Sequence, residues 1–239
     1  MTDQFTEHCL KHDNELRRRV KLFGNLLGDV VNQQAGEETF RVIEKLRKGF
    51  IALRKNPDEK KQKKLERFID RLPAETLTPL IRAFSIYFKL VNIAETNFHQ
   101  KQRDRLVRDF GTEPWKGSFT NMLEHFKEGG MKPEQLQTLL DECFYIPVFT
   151  AHPTEAKRRV IMGQLRKFRR TSQKLDYPRQ RGYDRASIIA DLENQLNILW
   201  KTDEVRASRP EVRQEIRHGL HFFEETIFSA VPMIYRSLN

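Results

Sequence analysis

The chain has 239 residues, 38% hydrophobic and 32% charged, with a net charge of +10 and a mean hydropathy of −0.68. That length can bury a real core, and the composition is that of a charge-rich globular protein, neither fibrous nor disordered. No run reaches the roughly 18 uninterrupted apolar residues of a membrane span, and Met1 to His8 lacks the basic-then-apolar order of a secretory leader. Association with a membrane is therefore not expected.

The two cysteines, Cys9 and Cys143, have neither metal-ligand nor redox spacing, which points to a reduced, cytoplasmic setting. The positive charge favours anionic partners. No recognition motif accompanies it, so nucleic acid is not expected, and Lys60 to Lys64 reads as a solvated helix face.

In chain order the pattern is helical almost throughout. From Asp13 to about Ala35, Leu16, Val20, Phe23, Leu26, Leu27, Val30 and Val31 recur at spacings of three and four, and Gly36 is placed to end that helix. Phe40, Ile43, Leu46, Phe50 and Leu53 predict a second helix. Asn56 as cap, Pro57 in first position and Glu59 in a capping box predict the start of a third, which Pro73 ends. Pro79 to about Phe110 reads as one long helix or two joined ones, stopped by Gly111. Shorter helices are expected from Phe119 to the Gly129-Gly130 pair and from Pro133 through Leu140.

The period then changes. Phe144-Tyr-Ile-Pro-Val-Phe-Thr150 is a short aromatic and β-branched run, read as a strand. A lone strand leaves its backbone groups unpaired, so a partner outside residues 144–150 is expected. Helix returns from Thr154 to about Lys174. An Arg-rich loop spans Leu175 to Tyr183, and two further helices run from Asp184 to about Glu204 and from Pro210 to about Ala230.

The strand would deliver His152 to its C-terminal end, where α/β folds place working residues, with an imidazole able to act as acid or base near neutral pH. The helix after Pro153 carries Lys157, Arg158 and Arg159 in its second turn, then Arg166, Lys167, Arg169 and Arg170. A helix N-terminus with guanidinium groups beside it suits a phosphate or carboxylate. Glu155 pairing with Arg158 or Arg159 would explain the same charges without a ligand, and spacing alone leaves the two open.

Phe149-Thr-Ala-His-Pro-Thr-Glu155 followed by Arg158-Arg159 resembles the histidine signature of phosphoenolpyruvate carboxylase. Leu22-Phe-Gly-Asn-Leu-Leu-Gly28, Ala83-Phe-Ser leading to Leu90-Val-Asn-Ile-Ala-Glu95, and Leu199-Trp-Lys-Thr-Asp-Glu-Val-Arg206 are similar to further segments of that family, in its order. The chain departs from the pattern at Lys201 and Ala207, where the family usually has arginine, and at Glu211-Val212, where it has Thr-Pro.

The resemblance implies a mainly α chain: a helical surround over 1–143, then the first strand of an incomplete (β/α)8 barrel with long helices over 144–239. It implies carboxylation of phosphoenolpyruvate by bicarbonate to oxaloacetate and phosphate, with Mg²⁺ or Mn²⁺, in a homotetramer when full length. His152 matches the base that deprotonates carboxyphosphate. Arg158 and Arg159 match an arginine pair that binds anionic activators in plant members. The metal ligands, the arginines that grip phosphoenolpyruvate and a glycine-rich loop are expected downstream, so no metal site is expected in these 239 residues and the chain alone is expected to be inactive. The alternatives are a helical anion-binding or interaction module without catalysis, and a basic nucleic-acid binder.

Overall fold

The computed structural model describes residues 2–110, 118–144, 146, 159–177, 182–204 and 211–238. Among them all regular structure is helical, in agreement with the mainly α reading; most of the expected strand at 144–150 lies outside the described residues. The elements are α1 (Thr2–Lys55), α2 (Glu59–Asp70), α3 (Ala74–Phe110), α4 (Phe119–Glu128), α5 (Pro133–Glu142), α6 (Arg159–Gln173), α7 (Gly182–Lys201), α8 (Val212–Phe222) and α9 (Phe228–Leu238). A 3-10 turn, Lys174–Asp176, follows α6, and a π-helical turn, Phe223–Ile227, joins α8 to α9.

The expected break in α1 falls at Gly36, with φ 84° and ψ 161°. That backbone region is closed to residues with a Cβ at a cost of about 1–3 kcal/mol. Glycine there separates two helical halves that both supply core side chains. α2 starts later than the capping pattern predicts: Asp58, not Asn56, is the cap, and its Oδ1 accepts from the N–H groups of Lys60 and Lys61 at 2.9 and 3.1 Å. A carboxylate reaching two free amides satisfies the helix start better than an asparagine placed before Pro57. At Gly49 a Cβ would stand 2.8 Å from Leu65 Cδ1, so glycine lets α2 lie close against α1.

α3 is one helix, and it begins before Pro79. Thr76 and Leu77 donate to the carbonyl of Pro73 at 2.9 and 3.0 Å, which sets the first turn at Ala74 and leaves Pro79 inside. Over Ala74–Arg105 this helix is long and apolar enough to cross a membrane by length and composition. Its Leu80, Ala83, Ile86, Leu90 and Ala94 stripe is instead buried in the core. Helix C-termini follow the expected signals: Gly129 caps α4, and Gly130 behind it has φ 77°. The last predicted helix runs on to Leu238 through the π turn.

The chain divides into two compact units, residues 1–101 with 157–205, and residues 102–156 with 206–239. In the first, α1, α3, α6 and α7 bury one continuous core. Its centre is Phe23 of α1 against Phe168 of α6, edge to face with ring centroids 5.0 Å apart. Leu90, Leu192 and Leu196 are equally inaccessible around them. In the second unit, α4, α5 and the π turn contain no buried residue.

Three outcomes are expected. Phe168→Ala lowers unfolding stability by about 3–5 kcal/mol in a denaturant titration, the usual result of emptying a packed aromatic site; a loss below about 1 kcal/mol would remove this ring from the centre of the core. Gly36→Ala lowers it by about 1–3 kcal/mol through backbone strain alone, because nothing lies within 4 Å of the added Cβ. The Lys61 and Lys60 amides hold the Asp58 carboxyl below its ordinary range. Its support of α2 is therefore present above the unfolded-state value and lost as pH falls through the lowered one. Amide-exchange protection at Lys60 and Lys61 should drop on acidification in the natural chain and stay flat in Asp58→Asn.

Candidate functional site

Of the three site residues named from the sequence, His152 and Arg158 lie outside the described residues, as does Glu155. Arg159 opens α6, and only its backbone is described. The structure therefore speaks to how the helix behind the signature is held.

α6 is fixed along its length. Ile161, in its first turn, and Phe168 are buried in the core. Its C-terminal end enters a polar network. Arg19 of α1 donates to the Ser172 carbonyl and to Asp176 Oδ1, both at 2.7 Å. Lys101 of α3 bridges the same carboxylate oxygen at 2.9 Å and pairs with Glu15 of α1. Ser172, fully buried, accepts from Asn97 Nδ2 at 2.8 Å and donates to the Arg169 carbonyl at 2.8 Å. Gln195 of α7 donates to Thr171 at 3.0 Å. Buried polar groups are costly unless paired, so the hydrogen bonds of Ser172, Asn97 and Arg19 favour this placement of the end of α6.

The basic run on α6 has two fates. Arg169 is turned inward, its Nε donating to Asn97 Oδ1 at 3.2 Å, while Lys167 and Arg170 are exposed. Sequence spacing did not single out Arg169, because its inward turn depends on Asn97 of another helix.

Beside the start of α6 lies a cleft of about 370 Å³, lined by Ile161 and Leu165 of α6, by Arg82, Ser85 and Lys89 of α3, and by Glu204 after α7. Arg82 donates to the Trp200 carbonyl at 2.8 Å and to Asp203 Oδ1 at 3.0 Å. Lys89 pairs with Glu204, whose other oxygen accepts from Ser85 at 2.8 Å. Two cations meet two carboxylates, so the cleft presents little uncompensated charge to an anion. Its chemistry is that of a clasp: a guanidinium satisfies the free carbonyl at the C-terminal end of α7, where a cation is favourable. Partly exposed pairs of this kind contribute about 1 kcal/mol or less each, so the clasp fixes direction more than stability. These residues were not named as functional from the sequence, although Ser85, Asp203 and Glu204 fall inside the segments quoted for the resemblance.

A second cleft, about 720 Å³, runs between α1 and α3 with a largely apolar wall that includes Leu16, Val20, Phe40, Phe84 and Tyr87. At its rim the Glu44 carboxylate is held below its ordinary range by the hydrogen bond from Arg47. Among the described residues no group of three or more His, Cys, Asp or Glu comes together as a metal site. Among those residues the donors brought together do not fit Mg²⁺ or Mn²⁺.

The family model for phosphoenolpyruvate carboxylase matches residues 16–239. Curated relatives include a phosphoenolpyruvate carboxylase from Roseiflexus castenholzii, 35% identical over 98% of this chain and 25% of its own length. Those from Nitrosomonas eutropha and Nitrosomonas europaea are each 32% identical, over 96% and 95% of this chain and 24% of their own lengths. The chain spans about a quarter of the length of the curated relatives it matches. The three core-forming segments and the histidine signature all fall within the matched residues, and the chain belongs to the phosphoenolpyruvate carboxylase family.

Proposed function

We propose that this chain forms the amino-terminal portion of a phosphoenolpyruvate carboxylase and supplies its carboxyphosphate-directed base, His152. The observation that carries the reading is the continuous family match over 16–239, with Phe149 to Glu155 inside it. Residues 1–143 would be helical surround, and 144–239 the start of the (β/α)8 barrel. In the assembled enzyme, a bicarbonate oxygen attacks the phosphoryl group of phosphoenolpyruvate, giving carboxyphosphate and the enolate of pyruvate. His152 takes the carboxyphosphate proton. Loss of phosphate then releases CO₂, and the enolate carbon captures it to give oxaloacetate. An imidazole titrating near neutrality suits that proton transfer.

What these residues contribute besides His152 is placement. Arg19, Ser172 and Asp176 hold the far end of α6, and the core holds its first turn, so a group just ahead of Arg159 would be carried on a rigid element. Preorganisation of this kind is what a catalytic side chain needs. Arg158 and Arg159 would offer an anionic activator a site at the start of α6. Mg²⁺ or Mn²⁺ would be held by polypeptide beyond this quarter, and would polarise the phosphoryl group there. Phosphoenolpyruvate and bicarbonate are the substrates on this reading, in a cytoplasmic homotetramer with neither nucleic acid nor membrane as partner.

Two measurements test it. The purified 239-residue chain, given phosphoenolpyruvate, bicarbonate and Mg²⁺, should form no oxaloacetate above the blank; turnover would sink the proposed division of labour. A chimera in which this chain replaces the matching quarter of the Roseiflexus castenholzii carboxylase should be active. His152→Asn in that chimera should cut oxaloacetate formation by about 10²–10⁴-fold while bicarbonate-dependent phosphate release persists, because the histidine acts after the phosphoryl transfer. Equal loss of both would remove His152 from that step.

A further inference from the structure

The cleft between α1 and α3 has no part in the chemistry proposed above, and it lies wholly inside the first compact unit. Its volume of about 720 Å³ falls in the range of about 300–1,000 Å³ typical of small-molecule sites, which are apolar with a few placed polar groups. Gly24 and Gly28, one turn apart on α1, keep side chains off one side of it. A Cβ at Gly24 would stand 3.6 Å from Tyr87 Cε2, and one at Gly28 would stand 3.1 Å from Phe40 Cε2. Both rings therefore come to rest close to helix backbone. With Phe84 they give the lining three aromatic side chains. Such rings gain most from another ring, met edge to face or offset.

Charge along the lining is unevenly compensated. Of the two carboxylates there, Glu44 is already engaged: Arg47 donates to its two oxygens at 2.6 and 2.9 Å, and Lys48 stands 3.6 Å away. The other, Asp29, is eight residues beyond Lys21 on α1, about 12 Å along the axis. Lys21 is exposed, and no described carboxylate pairs with it. A cation without a local counterion, at the edge of an apolar cleft, suits an anion with an apolar body.

We propose that this cleft is a binding site for a small aromatic carboxylate, with the ligand's rings among Phe40, Phe84 and Tyr87 and its carboxylate against Lys21. A flexible aliphatic acid of the same charge would lose more conformational freedom on binding and would gain no ring-to-ring contact. The site belongs to the first unit alone, so it stands or falls independently of the role assigned to His152.

Photolabelling tests it. Benzophenone-4-carboxylate, two rings with one carboxylate, serves as both ligand and label, and 4-methylbenzophenone is its neutral counterpart. The 239-residue chain is irradiated with each, digested, and mapped by mass spectrometry. Labelling by the carboxylate should saturate and should concentrate in residues 16–47 and 83–87. Lys21→Glu should cut it by about 10-fold, and Lys21→Arg should retain it. Lys63→Glu, the same change of charge on the exposed side of α2, should leave it unaltered. Both lysines are exposed, so the variants should unfold at the same denaturant midpoint as the natural chain. As competitors, 1-naphthoate should displace the label at concentrations about 10-fold lower than octanoate. Three results overturn the site: labelling spread over the exposed apolar side chains of α8 and α9, equal labelling by the neutral counterpart, or labelling that survives Lys21→Glu. Octanoate competing as well as 1-naphthoate overturns the aromatic class of ligand.

Discussion

The contact between Phe23 and Phe168 joins the first helix of the chain to the helix that follows the histidine signature, across more than a hundred residues of sequence. Both rings are at most 1% exposed. An edge-to-face pair of this kind adds about 0.5–1.5 kcal/mol beyond the burial itself, and it fixes an angle as well as a distance. The polar network at the C-terminal end of α6 lies beside that contact. Asn97 and Ser172 satisfy each other a turn away, and Arg19, four residues before Phe23 on α1, reaches the Ser172 carbonyl and Asp176. Apolar packing sets where α6 lies, and the hydrogen bonds decide its rotation about its own axis.

Much of this was legible in the residues. The three-and-four spacing named Phe23, Leu26, Leu27, Val30 and Val31 as one face, and all five are buried. Gly36 was read as a helix end because glycine is the residue of choice where the chain must turn out of helical space, and its φ of 84° bears that out. The start of α2 was misread because Asn56, Pro57 and Glu59 satisfy a capping pattern on paper. The choice of Asp58 depends on which oxygen reaches two amides, and that is geometry. Pro79 misled for a related reason: proline is favoured at helix starts but tolerated early inside one, and the carbonyl of Pro73 had already begun α3. The partition of the α6 cations was not readable at all. Arg169 turns inward because Asn97 stands opposite it on another helix, a fact with no local signature.

The two units differ in what they can do alone. The first buries large apolar side chains from four helices and links polar groups at the end of α6 to α1, α3 and α7. The second, among its described residues, fully buries none of its apolar side chains, and Phe144 beside the expected strand is 88% exposed. Hydrophobic burial is the main source of folding free energy, so most of the stability of this chain resides in the first unit. The helices of the second rest on local signals, such as the Ser118 cap of α4 and the Lys132 N–H donated to Gln135 Oε1 at the start of α5.

This asymmetry bears on what family membership means for this chain. The segments Leu22 to Gly28, Ala83 to Glu95 and Leu199 to Arg206 resemble the family, and the structure puts each to structural use. Phe23, Leu26 and Leu27 fill the core; Ala83, Leu90 and Ala94 line it from α3; Trp200, Asp203 and Glu204 clasp the end of α7. They preserve a scaffold, and a scaffold can be kept after chemistry is lost. The reactive assignment rests on one short stretch ahead of Arg159. Resemblance in the packing segments argues that α6 is presented as in its relatives, and only the histidine itself argues for the proton transfer. Membership and activity are therefore separate claims, the first carried by apolar side chains spread through 239 residues and the second by a single imidazole.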